Sequence, residues 1–232
     1  GDVSVGMVDI LFVDDNSGSM STEQSKMAQK FPDFKEKLQL DNIDFRIGVI
    51  TTDVSASPNN KVKKPANGNG AFQDGNFLKS SNGYDILTPE TPNLNAEFAN
   101  IIQRQETLEC EANNYKEEFC PSTDERGIYA VNMAIDKKDP RFFREDSPLL
   151  AVVILSDEDE RGDGDNLEAY DLPETLVEKV ANQLGNNKQI SVSSLIIKPD
   201  LGSFGYNNVN ADQACYDQQA AQGNQWVYGE YG

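Results

Sequence analysis

Val8–Met20 reads VDILFVDDNSGSM, and its interpretation decides the fold. Ile10-Leu11-Phe12-Val13 is a near-continuous apolar run, the pattern of a central parallel strand covered on both faces. The run breaks at Asp14-Asp15 into Asn16-Ser17-Gly18-Ser19. Ligands of open α/β sheets sit outside the carboxyl ends of the strands, which is where Asp15 falls. One carboxylate, Asp15, and two hydroxyls, Ser17 and Ser19, stand at alternating positions and can converge on one point. Such oxygens suit a hard cation, and Mg²⁺ in particular keeps several waters rather than filling its shell with protein groups. The competing interpretation is a Ser-Gly-Ser turn that opens and caps the next helix.

Working outward, Met27, Phe31, Phe34 and Leu38 recur at helical spacing, giving an amphipathic helix that opens near Ser19 and bends at Pro32. Phe45–Thr52, FRIGVITT, is a second buried strand. Residues 53–93 form an insertion rich in Asn, Gly, Ser and Pro. Within it, Asn76–Ser80 and Tyr84–Thr88 flank Ser81-Asn82-Gly83 as a hairpin. Leu94–Gln105 is helical, a polar loop runs through Cys120, and Glu125–Ile135 carries Ile128, Val131 and Ile135 on one face. Leu149–Ser156, LLAVVILS, is the strongest strand and runs straight into Asp157. Leu172, Leu176, Val177, Val180 and Leu184 mark a further helix stopped by Gly185, and Gln189–Ile197 is a last strand. Buried strands alternating with amphipathic helices predict one α/β domain over 1–232. It has an open, mainly parallel, Rossmann-like sheet flanked by helices, a hairpin edge, and an irregular tail from about residue 199 that holds one helix near 211–222.

Composition narrows the function. The 232 residues carry a formal charge of −19, which argues against nucleic acid and anionic membranes as partners and makes cations the natural ones. There is no histidine, so a Ser-His-Asp triad, a histidine base or a histidine-ligated zinc site is excluded. No run approaches the roughly 20 apolar residues of a membrane span, so direct membrane insertion is not expected. No signal peptide is visible in this chain. Cys110 and Cys120 flank a polar loop and suit a local disulfide in an exported protein; Cys215 is left over.

The Asp15-x-Ser17-x-Ser19-Met20 segment resembles the metal-ion-dependent adhesion site of von Willebrand factor type A domains, the family that includes integrin inserted domains. The resemblance spans roughly residues 3–197. It implies three segments meeting at one ion. The second would be a hydroxyl-bearing loop before a middle helix, matched by Thr123 ahead of Gly127, with Ser122 as the alternative. The third would be an aspartate ending a later strand, matched by Asp157. The ion would be Mg²⁺, or Mn²⁺ or Ca²⁺, with Asp15, Ser17, Ser19, Thr123 and Asp157 as its metal site. Thr123 alone would also serve as a helix N-cap. The resemblance further implies a non-enzymatic module that grips a protein partner through that partner's Asp or Glu carboxylate, in an extracytoplasmic setting. The long insertion over residues 53–93, the threonine position shared between Thr123 and Ser122, and the irregular tail depart from the family pattern.

Other motifs compete. Asp157–Glu168 places acids at positions 1, 3, 7, 9 and 12 and Gly at 6 of an EF-hand-like loop, but Arg161 at position 5, Gly164 at position 8 and a preceding strand break that pattern. Arg161-Gly162-Asp163 is a tripeptide that integrins can recognise, set in a charged loop. A Mg²⁺-dependent phosphoryl hydrolase with Asp15 as nucleophile is the enzymatic alternative, although Ser17 stands where such enzymes need a second acid. A structural metal site in an assembly subunit is the third possibility.

Overall fold

The computed structural model describes residues 6–55, 73–116, 119–121, 124–158, 160 and 166–195. Five strands form one sheet: β1 (Gly6–Asp14), β2 (Ile43–Thr51), β3 (Ile86–Leu87), β4 (Leu149–Leu155) and β5 (Gln189–Leu195). Their order is β3-β2-β1-β4-β5. The pairs β1/β2, β1/β4 and β4/β5 are parallel, and β3 lies antiparallel on β2. The α/β class with an open, mainly parallel sheet is therefore the observed architecture.

The central strand is β1, and its register sets Val13 beside Ile50 on one side and Ile154 on the other. Successive residues of a strand point to opposite faces, and both faces of β1 are apolar. Leu11 and Val13 join Val152, Ile154, Ile128, Val131, Leu176 and Val180 in one core layer. Ile10 and Phe12 join Phe45, Ile47, Phe31, Phe98 and Ile101 in the other. In that second layer the Phe31 and Phe98 rings stack at 3.8 Å between centroids, and Phe12 meets Phe98 edge-on at 5.0 Å.

Helices cover both faces. On the Phe31 side lie α1 (Ser21–Leu40) and α2 (Leu94–Ile102), with α3 (Gln105–Ala112) packed against α1; on the other lie α4 (Gly127–Lys137) and α5 (Pro173–Lys179). A single 3₁₀ turn, Gly18–Met20, separates β1 from α1, and Pro32 lies inside α1. A π-helical turn over Val180–Leu184 extends α5, and Gly185, at φ +110°, ends it in a conformation that favours glycine. No helix among the described residues is long and apolar enough to cross a membrane.

Two expected elements differ. The hairpin over Asn76–Ser80 and Tyr84–Thr88 reduces to a turn, closed by Gly83 N–H to the Ser80 carbonyl and by Ser80 N–H to the Tyr84 carbonyl. Only Ile86–Leu87 pairs as a strand, and its partner is β2. Residues 76–80 are held differently. Leu78 N–H donates to the Val49 carbonyl, while the Phe77 ring covers Gly48 so closely that a Cβ there would sit 2.6 Å from it. The helix expected over Leu94–Gln105 is two helices. Gln103 and Arg104 take extended backbone, and Arg104 N–H donates to the Gln24 side chain of α1 rather than continuing the helix. The tail from residue 199, with the helix expected near 211–222, lies outside the described residues, as do residues 56–72 of the insertion.

Candidate metal centre

The carboxyl ends of β1 and β4 lie side by side, and the chain leaves both in the same direction. Asp15 N–H donates to the Leu155 carbonyl at 2.9 Å, which locks the two strand ends together. This contact brings Asp15 against Ser156 and the Ser17–Ser19 loop against Asp157. Asp15 Oδ1 accepts from Ser17 N–H at 2.8 Å, and Oδ2 accepts from the Ser156 hydroxyl at 2.8 Å. The Ser17 and Ser19 hydroxyls lie 3.2 Å apart, and the Ser19 hydroxyl donates to Asp157 Oδ1 at 3.1 Å. Four of the five residues anticipated as ligands, Asp15, Ser17, Ser19 and Asp157, thus form one connected polar group.

The simple capping role does not describe Ser17. It stands at the N-cap of the 3₁₀ turn, yet its side chain makes no capping hydrogen bond and its hydroxyl lies against Ser19 instead. Thr123 and its alternative Ser122 lie outside the described residues. Their neighbourhood is nevertheless placed. Arg126 N–H donates to the Thr52 carbonyl, which sets the start of α4 beside the carboxyl end of β2.

The electrostatics are those of crowded carboxylates. Burial, and then the Asp157 carboxylate, push Asp15 from its ordinary 3.8 to about 7; the hydrogen bonds from Ser17 and Ser156 oppose the rise. Burial raises Asp157 too, against the hydrogen bond from Ser19. Glu125, just ahead of α4, is held well above the usual carboxylate range by burial and by the charges of Asp15 and Glu158. Its Oε2 has no hydrogen-bond partner among the described residues. Asp14, one residue before the loop, is likewise raised by burial, with Arg104 opposing. No lysine or arginine acts on Asp15 or Asp157 among the groups that shift them.

Among the described residues, no three acidic or cysteine side chains lie close enough to hold an ion by themselves. The donors on offer are two carboxylates and two hydroxyls. Their chemistry fits a hard divalent cation, which takes oxygen ligands and retains water. A positive charge there would also offset the repulsion between Asp15 and Asp157.

Three features of the centre went unread in the sequence. In the sequence Ser156 is only the end of the LLAVVILS strand; in the structure it holds Asp15. In the sequence Glu125 reads as the first residue of a helix; in the structure it precedes α4 and its carboxyl feels the charges of Asp15 and Glu158. Gln24 lies on the buried stripe of Met20, Met27 and Phe31, where a lone polar side chain was the available signal. It donates to the Asp15 carbonyl at 3.0 Å and to the Thr107 hydroxyl at 3.2 Å. Thr107 in turn donates to the Asn16 carbonyl at 2.7 Å, so α3 buttresses the loop from behind.

The described residues of the EF-hand-like segment turn to different partners. Asp157 turns to Ser19, Glu160 accepts from the Ile128 and Tyr129 N–H groups at the start of α4, and Glu168 pairs with Arg126 at 3.2 Å. Asp159 and residues 161–165, including Arg161-Gly162-Asp163, lie outside the described residues. Cys110 and Cys120 are joined by a disulfide.

Fold and site together define an open, mainly parallel α/β domain with a carboxylate–hydroxyl cluster at the carboxyl ends of two neighbouring strands. Neither a comparison with protein-family models nor one with curated proteins gave a match.

Proposed function

We propose that this chain is a non-enzymatic von Willebrand factor type A-like domain that holds a divalent cation and grips a protein partner through an Asp or Glu carboxylate of that partner. The observation that carries the reading is the connected group Asp15–Ser17–Ser19–Asp157, whose last link joins residues 138 apart in sequence. A bound divalent ion, Mg²⁺ first and Mn²⁺ or Ca²⁺ as substitutes, would supply positive charge and an exchangeable position for an incoming carboxylate.

The chain's own residues have separable roles. Ser17 and Ser19 offer neutral oxygens, which leave a cation's charge under-neutralised toward a partner. Asp157, at the rim, offers a charged oxygen. Asp15 has both oxygens engaged by Ser17 and Ser156, so it fixes the loop and contributes charge from beneath. Thr123, with Ser122 as its alternative, completes the set by the resemblance. An exported setting accords with the Cys110–Cys120 disulfide.

Phosphoryl hydrolysis with Asp15 as nucleophile is less favoured, because that side chain is fully buried and hydrogen-bonded at both oxygens. Titration calorimetry with Mg²⁺ and Mn²⁺, on the wild type and on Ser17→Ala/Ser19→Ala, tests the reading. Binding by the wild type that the double variant loses supports it; equal affinities refute it. A phosphatase assay with Mg²⁺ should give only background.

A further inference from the structure

The disulfide does more than close a surface loop, because of where its sulfur lies. Cys110, in α3, is 2% exposed, whereas Cys120 is half-buried. At Gly18, in the middle of the Ser17-Gly18-Ser19 turn, a Cβ would sit 2.4 Å from Cys110 Sγ and 2.9 Å from the Tyr115 ring. Only a glycine permits this approach, so the disulfide and the ring lie directly on the backbone between the two serines. Asn114 and Tyr115 both hold left-handed backbone, φ +55° and +58°, a conformation that non-glycine residues adopt only when their surroundings impose it. Cys110 fixes one end of that segment: its carbonyl accepts from Tyr115 N–H at 2.9 Å. Cys120 fixes the other end, five residues before Glu125.

We propose that the Cys110–Cys120 disulfide is a redox latch that presses Cys110 and Tyr115 onto Gly18 and so holds the Ser17–Ser19 turn in its ordered geometry. A dithiol reductant would open it in two exchanges. Its thiolate attacks the half-buried Cys120 Sγ, the S–S bond breaks, and the electron pair leaves on Cys110 Sγ, which takes a proton. The reductant's second thiolate then displaces Cys120 as a thiol, and the dithiol becomes a disulfide. The domain gains two electrons and two protons in all. Asn114 and Tyr115 then lose the anchor that Cys120 supplied, while Gln24 and Thr107 still hold the base of the loop at Asp15 and Asn16. The freed part is therefore the turn over residues 17–19. The link from the turn to cation affinity rests on the proposed function; the link from disulfide to turn does not.

Amide hydrogen exchange on the full chain, oxidised and after dithiothreitol, tests the latch, with alkylation confirming that Cys110 and Cys120 are both reduced. Residues 17–20 should exchange at least ~10-fold faster on reduction, while β1 and β4 keep their protection, as for a local opening. Tyr115→Ala with the disulfide intact should accelerate the same amides. Unchanged exchange at 17–20 in both cases overturns the latch, as does loss of protection throughout β1 and β4 on reduction, which would make the disulfide a global staple. Mg²⁺ affinity, measured in parallel, should fall ~10-fold on reduction if the turn contributes ligands. Faster exchange with no Mg²⁺ binding in either form would refute the cation reading and leave the latch standing.

Discussion

Replacing Asp15 by Asn should stabilise the cation-free domain above neutral pH while removing its cation affinity. Asp15 is fully buried next to Asp157, and its carboxyl rises from 3.8 to about 7 on folding. A carboxylate raised in this way makes the folded state hold a proton that the unfolded chain releases between those values. Stability therefore falls as pH rises from about 4 to about 7 and is level above, the opposite of a salt-bridged aspartate. A difference of roughly 3 on the pH scale, at about 1.4 kcal/mol each, makes the penalty of an ionised Asp15 about 4 kcal/mol at most. Asn keeps an acceptor for Ser17 N–H, and the Ser156 hydroxyl can turn to accept from its amide. Urea unfolding in EDTA at pH 4, 5 and 8, on wild type and Asp15→Asn, measures the effect. The variant should be more stable than wild type at pH 8, by about 1–4 kcal/mol, with the gap smaller at pH 5 and closing only near pH 4. Added Mg²⁺ should raise only the wild type. A variant less stable than wild type at pH 8 would refute the electrostatic reasoning.

Gly18→Ala places a methyl 2.4 Å from Cys110 Sγ and should weaken Mg²⁺ binding in calorimetry while the fold survives. At the opposite end of the sheet, Arg144 donates to Asp9 at 2.8 Å and to Asp44 at 2.8 Å, with Asp9 wholly buried. Arg144→Ala should cost up to about 3–5 kcal/mol in chemical unfolding, because it strips the guanidinium from a buried carboxylate and leaves Lys188 and the backbone N–H of residue 144 to hold it. An acidic peptide should bind only with divalent ion present, and its association in stopped flow should quicken with added salt, since the domain's −19 charge repels it at long range. Shortening the insertion within residues 53–75, which begins where β2 ends, should change partner selection and leave Mg²⁺ affinity intact.

The legible parts of this chain are those whose signal is contiguous. β1, β2 and β4 announce themselves as runs of Val, Ile, Leu and Phe because both faces of a central parallel strand are covered, and Asp15 and Asp157 follow from where those runs stop. The break between α2 and α3 was not legible, since Leu94–Gln105 has helical spacing throughout and the interruption comes from Gln24, 80 residues away, capturing Arg104 N–H. The edge beside β2 misled for a related reason. Ser81-Asn82-Gly83 does turn, but Phe77 and Leu78 are drawn to β2 by Gly48 and Val49, so no ladder forms between the two arms. Within the centre, residues spaced two apart could be grouped by eye. Ser156 and Glu125 could not, because their part depends on which strand ends and helix starts the sheet order brings together.

The most direct test of the central claim is a crystal of the oxidised domain soaked in Mn²⁺, with anomalous scattering recorded for the metal. The account predicts one strong peak within coordination distance of the Ser17 and Ser19 hydroxyls, reached by Asp157 directly or through water, with a position open to solvent. No peak at that cluster under saturating Mn²⁺, or a peak held elsewhere by other carboxylates, would contradict it.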